Sequence, residues 1–582
     1  MDLRKKPFYL KEEDIRWVEE TLSGMTLPEK IGQLFATMGS SDNAEQLAPL
    51  VKQIRIGGIM YRPMPGKAVQ AAHRYLQENS KIPLLTAANL EAGGNGVAAE
   101  GTYYGKPLQV AATDDFESGY RLGKIACSEG AAVGCNWSFA PIVDIDRNFR
   151  NPITNLRTFG SDVDRVIGMA KGYMKGADEE NLAVSIKHFP GDGVDELDQH
   201  LLTSVNSLSV EEWDASYGRV YQELIDAGAK TVMVGHIAQP AYQKLLNPES
   251  QETPTIPASL SKALLKGLLR EKLGFNGLIV SDATLMIGFT SAMKRELAVP
   301  TCIAAGCDMF LFNKNIEEDF RYMMAGYEKG LLSSERLDEA VTRILGLKAS
   351  LGLHIKQKDG TLVPGEEALQ IIGQETYTRW AKDCADRSVT LVKDTAGLLP
   401  LSPEKTKRVY LNVLEPDSSP QSPLRQTLIR RLEGEGFQVT VRNREASLNL
   451  ANLMNGTATP EEMAVFGEMM EGVEAFSSRY DLVLYVANFE TASNNTVVRI
   501  GWQPLMGMGN DFPWFVKEVP TLFVSLANPY HLLDVPMIQT FVNAYSNNGE
   551  VLDALMEKLM GRSAFKGSNP VDPFCGRMDT RQ

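Results

Sequence analysis

The sequence predicts an α/β protein in which an N-terminal (β/α)8 TIM-like barrel is followed by a smaller α/β sandwich domain. Three observations favour this fold. The chain has 582 residues, which is too long for one hydrophobic core and suits about two or three domains. Its N-terminal half alternates short apolar runs with longer amphipathic ones. Many of the apolar runs end in polar residues, as the strands of a parallel barrel do at their carboxyl ends.

Eight apolar runs in this half of the chain are predicted to be β-strands. In order, they are Ile31–Thr37, Gly57–Tyr61, Pro83–Asn89, Asn136–Asp144, Ala183–His188, Thr231–His236, Gly277–Asp282 and Asp308–Asn313. The runs are nearly continuous rather than alternating, which indicates strands buried on both faces of a parallel sheet. Their spacing mostly suits a helical crossover, so eight βα units favour a closed barrel. An open, doubly wound sheet is the alternative.

One connecting helix is clear from the sequence alone. It is predicted over Lys262–Lys272, with Ser259 or Ser261 as its N-cap and Gly274 as its stop. The next strand follows at once, so this stretch forms a compact helix–turn–strand unit that ends at Asp282.

The pattern of the barrel breaks after Gly352. We predict a barrel domain over residues 1–355, a linker over residues 356–378 and a second α/β domain over residues 379–582. The strands predicted for the second domain are Val409–Leu414, Phe437–Val441, Leu482–Ala487, Thr521–Ser525 and Thr540–Tyr545.

The composition argues against several classes of protein. The net charge is −14, whereas nucleic-acid-binding proteins usually carry a basic face. The six cysteines are scattered and form no CxxC pair, so a zinc ribbon is not expected and the thiols suit a reducing compartment. No apolar run reaches about 18 residues and no apolar segment follows the charged N-terminus, so we expect a cytoplasmic protein without a membrane span or a signal peptide.

The polar residues at the carboxyl ends of the predicted strands define a candidate site, because these ends converge on one mouth in a parallel barrel. They are Asn89, Glu91, Asp144, Asp146, Lys187, His188, His236 and Asp282. Acids, imidazoles and a lysine suit a hydroxyl-rich substrate, since each hydroxyl both donates and accepts hydrogen bonds. No cluster of three ligands at metal spacing is evident in this set. We therefore expect neither a metal nor an organic cofactor.

Two weaker patterns stay open as alternatives. His188, Asp192 and His200 are a minor alternative as metal ligands. Three glycines within residues 93–96 follow a strand, but they lack the complete phosphate-binding fingerprint.

Two places in the sequence carry the chemistry. Asp282 lies at a strand end between small residues, where an ionised carboxylate can attack an anomeric carbon and form a glycosyl ester. A helix N-cap is the alternative for this residue. Asp198 and His200 are a candidate proton-transfer pair, because a carboxylate fixes the tautomer of an imidazole and raises its basicity. Their Gly- and Asp-rich loop is expected to swing in after substrate binds, and a solvated surface loop is the alternative.

The stretch Lys187–Gly193, followed four residues later by Asp198–His200, resembles the signature of glycoside hydrolase family 3. The resemblance is to the branch that contains β-N-acetylglucosaminidases and glycoside phosphorylases. Further segments that resemble this family are Phe139–Asp144, Arg157–Gly160, Leu273–Asp282, Ser388–Lys393, Leu398–Leu401 and Asn528–Tyr530. The resemblance covers nearly the whole chain and implies a retaining β-glycosidase or β-glycoside phosphorylase.

The resemblance implies roles for the residues at the barrel mouth. Asp282 is the nucleophile, His200 is the acid/base and Asp198 is its partner. Asn89, Arg157, Lys187 and His188 line the sugar subsite, His236 matches the N-acetylglucosaminidase branch, and Glu91 and Asp144 are added as substrate-binding residues from their strand-end positions.

Three positions depart from the family pattern. Asn89 stands where the family usually has a sugar-gripping Asp, Gln199 stands where it has Ser or Thr, and Asp192 replaces the commoner His. These departures leave the choice between glucose and N-acetylglucosamine open.

The acceptor of the sugar decides the reaction. A carboxylate base about 4 Å from one phosphate charge would cost ~4 kcal/mol at an effective dielectric of about 20, and an imidazole base avoids most of this. We therefore expect an exo-acting phosphorylase that transfers a terminal β-glucosyl or β-N-acetylglucosaminyl unit to phosphate, its co-substrate. The alternatives are hydrolysis by the same pair, hydrolysis with a carboxylate acid from the second domain, and a non-catalytic sugar-binding barrel. No nucleic-acid or membrane partner is expected, and a homodimer stays open.

Overall fold

A computed structural model describes residues 1–249, 253–444, 449–491, 493–494, 496, 499–502 and 511–582. The chain forms two compact units. The first comprises Met1–Ala111, Asp115–Ala381 and Ala492–Thr496, and the second comprises Ala112–Asp114, Lys382–Thr491 and Val497–Gln582. The main division of the chain therefore falls after Ala381.

Eight parallel strands form the barrel of the first unit. They are β1 (Phe35–Gly39), β2 (Gly58–Tyr61), β3 (Leu85–Ala88), β4 (Trp137–Ser138), β5 (Ala183–Phe189), β6 (Thr231–Val234), β7 (Leu278–Ser281) and β8 (Phe310–Leu311). Each strand pairs with the next one along the chain, and β8 pairs with β1. A parallel bridge between Val280 and Met309 joins β7 to β8. The predicted barrel is confirmed, and the open doubly wound sheet is not the fold.

The first strand of the barrel starts later than the sequence predicts. Leu27–Gln33 is a helix, and the strand starts only at Phe35. The reason is a capping box, in which the carboxylate of Glu29 accepts hydrogen bonds from the backbone N–H and the hydroxyl of Thr26, at 2.8 and 2.9 Å. This helix-start signal outweighs the apolar run that follows it.

Helices and helical turns connect the strands. The α-helices up to residue 388 are Glu12–Ser23, Leu27–Gln33, Ala44–Pro49, Gly66–Glu78, Pro107–Ala112, Phe116–Ala132, Val163–Asp178, Val210–Trp213, Arg219–Asp226, Pro240–Leu246, Ile287–Thr290, Arg295–Ala305, Ile316–Glu328, Ser334–Ser350, Leu353–Lys358 and Glu375–Ser388. Wider helical turns span Leu50–Ile54, Asp214–Gly218 and Ala263–Lys272, and tighter ones span Gly94–Gly96, Asn155–Arg157, Ala258–Leu260 and Glu366–Ile371. Among the described residues, none of the helices has the length and apolar character needed to cross a bilayer.

The helix predicted over Lys262–Lys272 is present over Ala263–Lys272. The hydroxyl of Ser261 accepts the backbone N–H of Leu264 at 3.1 Å, so Ser261 is the residue that caps it. The chain leaves the helix through Gly274, whose φ of +66° is the left-handed conformation that glycine adopts without strain. This turn leads directly into β7 and places Asp282 at its carboxyl end.

The second unit is built on a mixed sheet of six strands. They are β9 (Thr390–Asp394), β10 (Arg408–Leu414), β11 (Gln438–Val441), β12 (Leu482–Ala487), β13 (Thr521–Ser525) and β14 (Thr540–Asn543), in the order β9-β14-β13-β12-β10-β11. All neighbours are parallel except β9 and β14, which are antiparallel. The helices of this unit are Pro423–Gly434, Leu450–Met454, Pro460–Met469, Val473–Arg479 and Gly549–Leu559, with tighter turns at His531–Leu533 and Asp579–Arg581. The five predicted strands are confirmed, and β9 was missed.

A buried charge cluster supports the amino-terminal end of β8. Asp308 is fully buried and receives Arg270 and Arg336 on its two carboxylate oxygens, at 2.6 and 2.7 Å. Its Oδ2 also accepts the backbone N–H of Ile279 in β7 at 2.9 Å. Burial lowers the pKa of Arg270 to about 9, although the charge of Asp308 opposes this. Arg343 Nη1 lies 3.7 Å from Asp308 Oδ1 as well, and Glu339 pairs with Arg336 and Arg343 at 3.2 and 2.7 Å, so two carboxylates compensate three guanidinium groups where the barrel closes.

We expect Asp308→Asn to destabilise the first unit by about 3–5 kcal/mol, because removal of one partner leaves buried charges uncompensated. The measurement is the free energy of unfolding in urea. Glu12→Ala is the control, since its ion pair with Arg4 is exposed and surface pairs contribute little to stability. Equal effects of the two substitutions would contradict this assignment.

Candidate active site

Charged side chains from separate strand ends meet at the barrel mouth. Glu91, which follows β3, forms ion pairs with Arg157 and Lys187, with Nη2–Oε1 and Nζ–Oε1 distances of 2.9 and 2.8 Å. Burial opposes the charged form of Glu91, but the guanidinium and the ammonium outweigh it and hold the pKa of this carboxyl well below its ordinary value. Lys187 Nζ also donates to Asn89 Oδ1, at 3.4 Å. Arg157 and Lys187 together carry more N–H groups than the carboxylate of Glu91 accepts. Their remaining N–H groups are suited to donate hydrogen bonds to sugar hydroxyls.

His188 connects Asp144 with Asp282. Its Nδ1 donates to Asp144 Oδ2 at 2.7 Å, and its Nε2 lies 3.8 Å from Asp282 Oδ2. The other oxygen of Asp144 accepts the backbone N–H groups of His188 and Asp192, at 3.1 and 2.8 Å. Because Asp144 is only 1% exposed and its oxygens are engaged in this way, it orients His188 and the loop after β5. The predicted contact between Asp144 and the sugar does not fit this geometry.

Asp282 follows β7 directly, and its side chain is 13% exposed. Its Oδ1 accepts the backbone N–H of Ala283 at 2.6 Å. Burial works against the charged form, yet the imidazoles of His188, His236 and His200, in decreasing order of effect, lower the pKa of Asp282 below its ordinary value. The carboxylate is therefore ionised at neutral pH, as a nucleophile must be. The next helix, Ile287–Thr290, begins too far along the chain for Asp282 to cap it.

Asp198 and His200 form a directly bonded pair. His200 Nδ1 donates to Asp198 Oδ1 at 2.6 Å, and the backbone N–H of His200 donates to the same oxygen at 2.8 Å. Asp198 Oδ2 accepts the backbone N–H of Asn494 at 2.6 Å. Asn494 belongs to the same compact unit as Asp198. Since Nδ1 is engaged by Asp198, Nε2 is the ring nitrogen of His200 that stays available for a proton, and the His200 side chain is 26% exposed. Asn494 lies almost three hundred positions further along the chain, and no motif pointed to it.

His236 lies beside the site but faces the protein. Its Nδ1 accepts the hydroxyl of Ser259 at 2.8 Å, and its Nε2 donates to the carbonyl of Ala283 at 3.0 Å. The ring is fully buried, and burial lowers the pKa of His236 below its ordinary value. Both ring nitrogens are thus engaged within the protein, and the predicted sugar contact of His236 does not fit. The imidazole instead holds the backbone that follows Asp282.

Two further acids of the predicted set are structural neighbours of the mouth. Asp192 is 1% exposed, and burial together with the charge of Asp144 raises its pKa well above the ordinary value. Its Oδ1 accepts the side-chain N–H of Asn151 at 3.0 Å. Asp146 is buried and accepts the hydroxyl of Thr154, also at 3.0 Å. In the described parts of the chain, no three His, Cys, Asp or Glu side chains are grouped to hold a metal ion, and this includes His188, Asp192 and His200.

A parallel barrel with charged residues at its strand ends is an architecture shared by many enzymes, and comparison with known proteins gives the family. Residues 26–347 match the glycosyl hydrolase family 3 N-terminal domain. A curated protein of Cellulomonas fimi, "Beta-N-acetylglucosaminidase/beta-glucosidase", is 44% identical over 585 residues, which cover 100% of each chain. The chain belongs to glycosyl hydrolase family 3 and is an enzyme of that family.

Solved structures agree with this assignment. The structure named "Beta-glucoside phosphorylase BglX" is 44% identical, has a TM-score of 0.90 and matches 100% of this chain and 99% of its own. A second structure of that protein is described as bound to 2FGlc. A family 3 β-N-acetylglucosaminidase from Paenibacillus sp. str. FPU-7 has a TM-score of 0.74 at 24% identity, covers 94% of this chain and 99% of its own, and is similar in fold.

Proposed function

We propose that this enzyme is a retaining, exo-acting β-glycoside phosphorylase that transfers a terminal β-glucosyl or β-N-acetylglucosaminyl unit to inorganic phosphate. The observation that carries the proposal is the bonded pair of Asp198 and His200 beside Asp282, because it supplies an imidazole as the acid/base. In this proposal phosphate is a co-substrate, and side chains of the protein carry both steps.

In the first step Asp282 is the nucleophile. One of its carboxylate oxygens forms a bond to the anomeric carbon, and the bond from that carbon to the glycosidic oxygen breaks. The leaving oxygen takes the proton from Nε2 of His200, so the aglycone departs as an alcohol. The negative charge of Asp198, 2.6 Å from Nδ1, stabilises the imidazolium that gives this proton.

In the second step an oxygen of phosphate attacks the anomeric carbon. The ester bond to Asp282 breaks and the carboxylate is released. A proton on the attacking phosphate passes to Nε2 of His200, which restores the enzyme. Two displacements at one carbon retain its configuration, so the product is the β-anomer of the sugar 1-phosphate.

The imidazole favours phosphate as the acceptor for an electrostatic reason. A carboxylate base about 4 Å from one phosphate charge would cost ~4 kcal/mol at an effective dielectric of about 20. His200 carries no negative charge, and the side chain of Asp198 is 1% exposed and bonded to the imidazole and to a backbone N–H. The name of the 44% identical solved structure, "Beta-glucoside phosphorylase BglX", also supports this reaction.

Hydrolysis by the same residues is the second candidate. The Cellulomonas fimi relative, also 44% identical, is named as a β-N-acetylglucosaminidase and β-glucosidase. Water in place of phosphate would use His200 as a general base in the second step and give the free sugar. Both relatives' names are compatible with a β-linked glucosyl or N-acetylglucosaminyl substrate, so the acceptor is the property to measure.

We expect phosphate to raise the steady-state rate of aglycone release from an aryl β-glucoside or aryl β-N-acetylglucosaminide by about 10-fold or more, because in this proposal it attacks the glycosyl-enzyme faster than water does. The measurement combines the rate of aglycone release with identification of the sugar product by ³¹P and ¹H NMR. Chloride at the same ionic strength is the control. A free sugar as the sole product, at a rate independent of phosphate, would identify a hydrolase.

A further inference from the structure

The loop that carries Asp198 and His200 is fixed to the barrel by the residue between them. Gln199 is 1% exposed, whereas the side chain of His200 is 26% exposed. We propose that Gln199 is a positioning residue that holds the acid/base pair in place at the barrel mouth. This inference rests on the proposed function, because it assigns Gln199 an effect on proton transfer through His200.

The amide of Gln199 bonds to segments that follow two neighbouring strands. Its Oε1 accepts the backbone N–H of His236, two residues after β6, at 2.7 Å. Its Nε2 donates to Asp192 Oδ2, in the loop after β5, at 3.5 Å. The backbone N–H of His236 can only donate, so the amide oxygen must face it and the amide nitrogen must face Asp192. One side chain thus connects the loop to two strand ends.

The main chain of this loop is also hydrogen-bonded to the segment that follows Asp282. The carbonyl of Gln199 accepts the backbone N–H of Gly288 at 3.1 Å, and the carbonyl of His200 accepts that of Ile287, also at 3.1 Å. Both donors lie in the short helix that follows Asp282. The loop of the acid/base is therefore joined to the segment that follows the nucleophile.

Two glycines make room for Gln199. A Cβ atom at Gly235 would lie 3.0 Å from Gln199 Oε1, and a Cβ atom at Gly288 would lie 2.9 Å from the Gln199 carbonyl oxygen. Neither glycine has the positive φ that would by itself require this residue type. The close approach of Gln199, together with that of Ile237 and His188 at Gly235 and of His236 at Gly288, accounts for a residue without a side chain at both positions.

The length of the glutamine side chain matters for these contacts. A Ser or Thr hydroxyl, which the family pattern places here, ends two bonds nearer the backbone. With the main chain held by Gly288 and Ile287, such a hydroxyl does not reach the N–H of His236. In this chain the acid/base loop is therefore bound to the barrel before substrate arrives, rather than only after it.

Gln199→Ser is expected to lower kcat/KM for an aryl glycoside with a poor leaving group by about 5- to 150-fold, because the buried N–H of His236 loses its acceptor and the bound position of the loop is less populated. The leaving group of a dinitrophenyl glycoside departs without a proton. For this substrate the rate constant of the pre-steady-state burst is expected to stay within about twofold of wild type. Gln199→Met, similar in size but without the amide, is expected to match Gln199→Ser.

Gln77→Ser is the matched control. Gln77 is another buried glutamine of the first unit, and its amide bonds both the N–H and the carbonyl of Leu84, at 2.9 and 3.0 Å. We expect this variant to lose stability while its ratio of rates for poor and good leaving groups stays that of wild type. Hydrogen exchange over residues 194–205 is expected to rise in Gln199→Ser and to be unchanged in Gln77→Ser.

The outcomes separate this inference from the proposed function. If His200→Ala shows a loss confined to poor leaving groups and the Gln199 variants do not, the positioning role of Gln199 is overturned while the proposed function stands. If His200→Ala itself shows no dependence on the leaving group, the assignment of His200 fails. A Gln199→Met variant with wild-type rates and wild-type exchange would also overturn the role of the amide.

Discussion

Asp282→Ala is expected to lower kcat/KM for an aryl β-glycoside by about 10⁴- to 10⁶-fold, the range found when an enzyme loses its nucleophile. The carboxylate is ionised, follows β7 directly and lies 3.8 Å from His188 Nε2. Without it no glycosyl ester forms, and the uncatalysed attack of phosphate or water remains. The measurement is steady-state kinetics, repeated with azide, a small anion that can occupy the vacated space and attack the sugar.

Two controls decide what such a loss means. A 2-deoxy-2-fluoro glycoside, whose glycosyl ester breaks down slowly, is expected to label Asp282 in the wild-type enzyme, as read by peptide mapping. Asp162→Ala removes a carboxylate whose role is to cap the helix Val163–Asp178, and we expect it to cost about 1 kcal/mol of stability and to leave activity unchanged. A label on another residue would refute the assignment.

His200→Ala is expected to lower kcat/KM by about 10²- to 10⁴-fold for substrates whose leaving group needs a proton. The burst rate for a dinitrophenyl glycoside is expected to change little, since its leaving group departs as an anion. We expect this contrast because, in the proposed mechanism, Nε2 of His200 supplies the proton to the glycosidic oxygen, while Nδ1 is engaged by Asp198 at 2.6 Å. The measurement is a series of aryl glycosides of graded leaving-group acidity.

His354→Ala is the matched control for this prediction. His354 also faces a carboxylate, with Nε2 3.1 Å from Asp14 Oδ1, but it lies in the helix Leu353–Lys358 outside the strand ends that form the mouth. We expect its loss to affect stability and to leave the leaving-group dependence intact. If His200→Ala kept wild-type rates across the series, a carboxylate from elsewhere in the chain would be the acid.

Much of the fold could be predicted from sequence because a strand that is buried on both faces is a continuous run of apolar residues. β12 and β13 match their predicted bounds, and the eight barrel strands all occur. β1 was predicted to start too early because an apolar run does not distinguish the end of a helix from the start of a strand. β9 was missed because it pairs with β14 alone at the edge of the sheet and is only partly buried.

The site was predictable as a set of strand ends but not as a set of contacts. The barrel rule brings Glu91, Lys187, His188 and Asp282 together whatever their side chains do. The direction of the His236 ring depends on Ser259, whose hydroxyl arrives from a different loop. Such contacts involve residues far apart in the chain, and no local pattern records them. For this reason the sequence predicts sugar contacts for Asp144 and His236, whereas the structure shows both side chains hydrogen-bonded within the protein.

The shared carboxylate of Glu91 has a consequence for how this enzyme can diversify. One acidic group compensates Arg157 and Lys187 at once, and the three side chains come from different segments of the barrel: Glu91 follows β3, Arg157 ends a helical turn and Lys187 lies in β5. A change at any one of them alters the charge balance seen by the other two, so effects of substitutions at these positions are not additive. We therefore expect relatives with a different sugar preference to differ from this chain at all three positions, because a substitution at one position alone is disfavoured.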